Sequence, residues 1–348
     1  MAEIDQYDYH LPRERIAQEP LRQRTDARLM VVDRAANTID HAYVRDLGQY
    51  LRRGDVLVLN DTRVIPARLV GRRPATGGRW EGLFLDEESH GMWRVLCKAR
   101  GRMQPGEIVQ LLDRSARPAM QLELATKLSD GSWVVRPLTG GTPLDLLEQI
   151  GRVPLPHYIR HGEMVDADVD RYQTVFADIP GSVAAPTAGL HFTPRLLKEL
   201  SDQGVDIERV TLHVGIGTFR PIKADTLADH AMHAEWCRVS PETVDHLRRA
   251  RRAGGRIVAV GTTSVRTLET AAQSGELQPW TGPTQLFIRP PYTFRAVDVL
   301  MTNFHLPRST LLVLVRTFGG DALIRRAYLE AIEYEYRFYS YGDAMLIV

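Results

Sequence analysis

The sequence predicts an α/β protein: a discontinuous α/β domain with a mostly parallel sheet, interrupted by a small all-β barrel. Three observations lead there. Near-continuous apolar runs such as Asp55-Val56-Leu57-Val58-Leu59-Asn60 fit a strand buried on both faces. From residue 142 onward strand and helix signals alternate, which is the pattern of parallel-sheet architecture. Between residues 67 and 137 that alternation stops, and short β-branched or alternating runs follow one another with glycine and proline between them.

Taken in order, residues 28–33 and 55–60 read as strands. Runs at 67–73, 80–85, 93–99, 107–112, 120–126 and 132–136 then form the barrel. Thr142-Pro143 restores helix, a capping hydroxyl followed by proline at the first helical position. Thr193-Pro194 opens a helix that Gly204 closes, and 205–214 follows as a strand. Ser240-Pro241-Glu242 opens another that Gly254-Gly255 closes, and 256–260 is the next strand. Gly261 leads into a helix through residue 270, and 307–318 and 322–337 read as helical. The α/β domain therefore comprises 1–64 and 140–348, with the barrel at 65–139.

A chain of 348 residues is long for one average domain, in keeping with two. No run has the apolar length needed to cross a bilayer, and the start lacks a basic-then-apolar signal. Cys97 and Cys237 stand far apart, against a disulfide framework or thiolate metal site. A cytoplasmic monomer with no membrane contact is the expectation. Net charge is +1, yet lysine occurs only at positions 98, 127, 198 and 223, so most cations are arginine. Clusters at Arg22/Arg24/Arg28, Arg72/Arg73 and Arg248/Arg249/Arg251/Arg252/Arg256 suit bidentate phosphate contact or solvated helix faces equally well.

Chemistry concentrates in four stretches at the ends of apolar runs. They are Ala185 to Thr193 with Thr187 and His191, Leu212 to Phe219 with His213, Gly215, Gly217 and Thr218, Gly261-Thr262-Thr263-Ser264, and Thr302 to Pro307 with Asn303 and His305. In an open α/β sheet, ligands bind beyond the carboxyl ends of the strands. Glycines there admit close backbone approach, and imidazoles supply acid–base chemistry near neutral pH. The strand–turn–helix at Gly261 suits an anion through its unpaired amides, although Thr263 or Ser264 as a mere cap explains it too. Gly215-Ile216-Gly217 lacks the third glycine of a dinucleotide fingerprint, and Pro221 follows too soon for a helix. His230 to Glu235 does not have the paired-histidine metal spacing, so no metal is expected. Asn60-Asp61-Thr62-Arg63 follows a buried strand directly and emerges at the same edge.

These motifs, with Val64-Ile65-Pro66-Ala67-Arg68-Leu69 and the ending Tyr336 to Met345, resemble the S-adenosylmethionine:tRNA ribosyltransferase-isomerase family of queuosine biosynthesis over nearly the whole chain. Ala234 stands where serine is expected, which weakens a hydroxyl role there. The resemblance implies that the ribosyl part of S-adenosylmethionine passes to the aminomethyl nitrogen of a 7-deazaguanine at the tRNA wobble position. The sugar rearranges to an epoxycyclopentane, giving epoxyqueuosine-tRNA, and adenine and methionine leave. S-adenosylmethionine is consumed as co-substrate and no cofactor is implied. The sulfonium acidifies the ribosyl C5′ protons, so a positioned base removes one. His191 and His213 are the first candidates, then His233 and His305, with Asp61 or Glu235 to orient an imidazole or accept from adenine. Thr62, Arg63, Thr187, Gly215, Gly217, Thr218 and Asn303 are further substrate contacts, and Gly261 to Ser264 a carboxylate site. A noncatalytic RNA-binding protein and an S-adenosylmethionine-dependent RNA methyltransferase are the alternatives. The methyltransferase lacks its glycine-rich first turn here, and the binder lacks a strong positive balance.

Overall fold

The computed structural model describes residues 2–215, 222 and 226–348. Its strands are β1 (Arg28–Asp33), β2 (Thr38–Tyr43), β3 (Val56–Asn60), β4 (Thr62–Val64), β5 (Arg68–Arg72), β6 (Arg79–Glu87), β7 (Trp93–Ala99), β8 (Ile108–Leu112), β9 (Pro118–Lys127), β10 (Trp133–Pro137), β11 (Ile179–Ser182), β12 (Asp206–Leu212), β13 (Glu235–Val239), β14 (Ile257–Val260), β15 (Trp280–Thr284), β16 (Val299–Asn303) and β17 (Ala344–Ile347). The helices are α1 (Pro143–Ile150), α2 (Asp168–Arg171), α3 (Pro194–Asp202), α4 (Pro241–Arg252), α5 (Gly261–Ala271), α6 (Thr310–Gly319) and α7 (Asp321–Glu333). They fall into two compact units, Met1–Arg63 with His157–His161 and Asp170–Val348, and Val64–Pro156 with Gly162–Val169.

The first unit is built on a nine-stranded sheet in the order β15-β13-β12-β3-β14-β16-β17-β1-β2. Its central four strands, β12, β3, β14 and β16, run parallel. The expectation of a mostly parallel sheet is corrected at the flanks. β13 and β15 add antiparallel on one side and β17 on the other, while β1 pairs parallel with β17 and antiparallel with β2. Alternation along the central strands divides the core. Val56, Val58, Ile257, Ala259 and Leu300 face a cluster filled by α4, α5, α6 and α7, whereas Leu57, Leu59, Val258, Val260 and Met301 face one filled by α3. Both faces are covered, which is why β3 and β14 read as unbroken apolar runs.

The second unit closes six antiparallel strands in the order β10-β7-β6-β5-β8-β9. Closure leaves no free edge to pair with another chain. Trp80 and Trp93 fill its interior, and Gly82 is needed there because a Cβ would fall 2.3 Å from the Trp80 ring. The expected end of this unit at residue 139 is too early. α1 follows with Thr142 as its cap and buries Leu146, Leu147 and Ile150. Arg152 then exchanges backbone hydrogen bonds with Arg68, so the unit continues to Pro156.

Two helix boundaries also differ. α6 starts at Thr310, because Ser309 caps it and Arg308 has φ +57, so the helix cannot reach back to residue 307. α7 stops at Glu333, since Arg28 donates to the Tyr334 carbonyl and Glu335 turns to φ +58. Among the described residues no helix is long and apolar enough to cross a membrane.

Candidate active site

Because β12, β3, β14 and β16 are parallel, the segments after them leave one edge of the sheet. Those segments carry His213 and Gly215, Asp61 and Thr62, Gly261 to Ser264, and His305. A cavity of about 230 Å³ at this edge is lined by Thr187, Val214, Gly261, Thr262, Thr263, Thr302, Asn303 and His305, among others, while His213, Gly215, Asp61 and Thr62 are not part of its lining. Tyr158, Tyr339 and Ser340 complete its wall. The structure thus brings Thr187, Gly261, Thr262, Thr263, Asn303 and His305 to one cavity.

α5 begins directly after β14, and Gly261 makes that turn at φ +87, a region that penalises any side chain. The helices α1, α3, α4 and α6 are capped by the hydroxyls of Thr142, Thr193, Ser240 and Ser309. α5 has Val260 at that position and no capping side chain. Its first turn is buried, and the Thr263 hydroxyl is buried with no partner among the described residues. A buried helix start with unfilled donors calls for an anion or a polar ligand. Ser264 takes no part, since its Oγ donates back to the Val260 carbonyl at 2.7 Å and the residue is fully buried.

Asn303 ends β16 and organises the cavity floor. Its Oδ1 accepts from Thr187 Oγ1 at 2.8 Å, and its Nδ2 reaches the Tyr339 carbonyl and His191 Nε2, both at 3.2 Å. His191 lies behind Asn303, and burial, with Arg24 and Arg337 nearby, lowers its pKa to about 4. His305 is 8% exposed, and its Nε2 lies 2.8 Å from Thr302 Oγ1. The Tyr9 and Tyr328 hydroxyls hold its backbone, and burial lowers its pKa to about 3. Both imidazoles are therefore neutral at pH 7.

His213 is half-buried, with Nδ1 2.8 Å from the fully buried Thr62 Oγ1 and its ring stacked on Trp236 at 5.1 Å. Burial lowers its pKa. β11 pairs with β4, and a Cβ on Gly181 would fall 2.8 Å from His213 Nε2, so only glycine there leaves room for the imidazole.

The remaining candidates have other settings. Asp61 accepts from Thr211 Oγ1 at 2.7 Å, and burial raises its pKa. Glu235 is buried, ion-paired with Arg266, and its Oε1 accepts the Gly215 amide at 2.9 Å. His233 is exposed, and Arg63 is half-buried. Gly217 and Thr218 lie outside the described residues. Several clustered arginines serve the fold, with Arg73 on Glu107, Arg28 on Asp343, Arg251 on Asp298 and Arg256 on Asp55. Tyr158 and Tyr339 were not foreseen. Tyr339 lies within the Tyr336 to Met345 ending but was not singled out as a site residue, and Tyr158 belongs to none of the motifs; the two rings meet only through the fold.

The family model described as "Queuosine biosynthesis protein" matches residues 4–347. A protein of Symbiobacterium thermophilum named "S-adenosylmethionine:tRNA ribosyltransferase-isomerase" is 49% identical over 355 residues, covering 99% of each chain. A Thermus thermophilus protein of the same name is 50% identical over 353 residues, covering all of both. The crystal structure of an S-adenosylmethionine tRNA ribosyltransferase from Thermotoga maritima aligns with TM-score 0.57 at 37% identity, over 99% of this chain and 100% of that one.

Proposed function

We propose that this chain, which belongs to the queuosine biosynthesis protein family, is a tRNA-modifying ribosyltransferase-isomerase acting on S-adenosylmethionine. It moves the ribosyl portion onto the aminomethyl nitrogen of 7-aminomethyl-7-deazaguanine at the wobble position. The product is epoxyqueuosine-tRNA, with adenine and methionine released. The enzyme works in the cytoplasm, as a monomer, and consumes S-adenosylmethionine without a further cofactor.

One observation carries the site assignment: the buried, uncapped start of α5, whose Gly261, Thr262 and Thr263 line the cavity and whose Thr263 hydroxyl is unpaired among the described residues. Gly261, Thr262 and Thr263 hold the methionine carboxylate there. Fixed amides at a helix start favour negative charge without any side-chain cation.

His213 is the base that removes the C5′ proton. Thr62 holds Nδ1, and Gly181 leaves room for the imidazole. Its burial is partial, so its pKa stays closer to working pH than those of His191 and His305. His305 acts as a neutral imidazole that hydrogen-bonds the ligand, and His191 positions Asn303. Thr187 and Asn303 contact substrate. Asp61, His233, Glu235, Gly215 and Arg63 flank the site, Glu235 by fixing the Gly215 backbone.

Incubation with S-adenosylmethionine and precursor tRNA tests the reading. Adenine, methionine and an epoxycyclopentyl base by mass spectrometry are expected. S-adenosylhomocysteine with a methylated base, or tRNA binding with no turnover, overturns it.

A further inference from the structure

Tyr339 is held in a conformation that a bulky side chain rarely adopts. Its φ is +70, in the left-handed region where non-glycine residues are uncommon and costly. Three hydrogen bonds maintain it. The Tyr339 amide donates to the Phe304 carbonyl at 3.1 Å, and its own carbonyl accepts from the Gly342 amide at 2.9 Å and from Asn303 Nδ2 at 3.2 Å. The consequence is a ring that lines the cavity and stacks on Tyr158, with centroids 4.6 Å apart and planes 24° apart.

The hydroxyl of that ring is unsatisfied among the described residues. Tyr339 is 5% exposed, and its Oη is buried with no hydrogen-bond partner there. The neighbouring Tyr158 hydroxyl pairs with Ser340 Oγ at 2.6 Å, Tyr9 donates to the His305 carbonyl, and Tyr328 accepts the His305 amide. Leaving a buried hydroxyl unpaired is destabilising in a folded protein. A fold that spends backbone strain to place an unsatisfied donor beside a cavity has reserved it for a ligand.

We propose that the Tyr339 hydroxyl donates a hydrogen bond to a ring nitrogen of the adenine of S-adenosylmethionine, with the Tyr158–Tyr339 pair as the aromatic wall against which the base lies. This rests on the assignment of S-adenosylmethionine to the cavity and adds which end of it meets which wall. A phenol donor turned toward the sulfonium would meet like polarity, whereas adenine N1, N3 and N7 are acceptors. The carboxylate has its own donors at α5. Burial, with the Tyr158 and Tyr328 hydroxyls close by, pushes the phenol pKa up, so the group stays a donor at every working pH. The same bond strengthens as the C1′–N9 electron pair passes to the departing base, so Tyr339 contributes to turnover as well as to binding.

Calorimetric titration of the full chain with S-adenosylmethionine and its 1-deaza, 3-deaza and 7-deaza adenine analogues tests this. Wild type loses about tenfold in affinity for one analogue, the one lacking the accepting nitrogen. Tyr339→Phe, which keeps the ring and the stack, loses about tenfold for S-adenosylmethionine and nothing further for that analogue. Single-turnover adenine release then falls by more than affinity does. Equal binding of all three analogues by wild type overturns the proposal, as does Tyr339→Phe matching wild type. Absence of any S-adenosylmethionine binding by wild type overturns the underlying substrate assignment along with it.

Discussion

Asn303 donates its side-chain amide to Nε2 of His191 at 3.2 Å, and that direction is fixed. The same Nδ2 also faces the Tyr339 carbonyl, which can only accept, so the oxygen of the amide must be the atom that receives Thr187. His191 Nε2 is then an acceptor, and the imidazole is neutral with its proton on Nδ1. In this arrangement His191 accepts a hydrogen bond from Asn303, which lines the cavity.

Acid stability follows from this. His191 and His305 titrate near 4 and 3 in the folded state, below the 6.5 of an unfolded imidazole. Between pH 6.5 and about 4 the unfolded chain binds protons that the folded chain refuses, so stability falls as pH falls. Each imidazole contributes about 1.4 kcal/mol per pH unit in that window. Urea midpoints measured from pH 7 to 4 should drop accordingly, and His191→Asn should flatten the slope.

The Thr263 hydroxyl has no partner among the described residues, so removing it should cost the ligand-free protein nothing. Thr263→Val is expected to melt at or above the wild-type temperature while binding S-adenosylmethionine about tenfold more weakly. A variant that loses thermal stability and keeps affinity would make the hydroxyl structural.

His213 must be neutral to take a proton, so single-turnover rate should rise with pH and level off. Burial lowers its pKa, which puts the acid limb below the ordinary 6.5. His213→Ala should slow turnover by about a hundredfold to ten-thousandfold with tRNA affinity intact. Gly181→Ala should mimic it, since the added Cβ crowds Nε2 at a φ of +147.

Glu235 and Arg266 form a buried ion pair that also secures the Gly215 amide. Arg266→Met leaves a buried carboxylate without its cation and should cost about 3–5 kcal/mol by urea denaturation. Glu235→Gln combined with Arg266→Met should cost less than the two single changes together.

Electrostatics should govern tRNA affinity, yet fewer arginines are free for it than the sequence counts. Arg22, Arg72, Arg249 and Arg252 are exposed, while Arg28, Arg73 and Arg256 are spent on internal carboxylates. A log–log salt plot should give a line whose slope counts only the phosphates neutralised. Arg256→Ala should lower the melting temperature and leave that slope unchanged.

Local chemistry made much of this fold legible. Thr142, Thr193 and Ser240 each precede a proline and each caps the helix foreseen there, and β7 spans the residues its alternation marked. Strands that resist reading are those whose pattern is broken. β2 is largely exposed, and β15 carries Gly282 and Pro283. In the candidate site, hydroxyl and glycine turns after apolar runs marked the segments that follow β12, β3, β14 and β16. How deeply each imidazole is buried was not legible, because it depends on residues distant in sequence, Asn303 against His191 and Thr62 and Gly181 against His213. Tyr339 lies in the Tyr336 to Met345 ending, yet nothing local announces its backbone angle.

The parallel pairing of β1 with β17 joins residue 29 to residue 344, whereas every barrel pairing lies within residues 68–137. Closing so long a loop is slow, while short-range hairpins form early. During synthesis the barrel can therefore be finished while β1 still waits with its apolar residues uncovered. The sheet that carries the chemistry is the late-assembling half, and it is where chaperone demand and misfolding losses should concentrate.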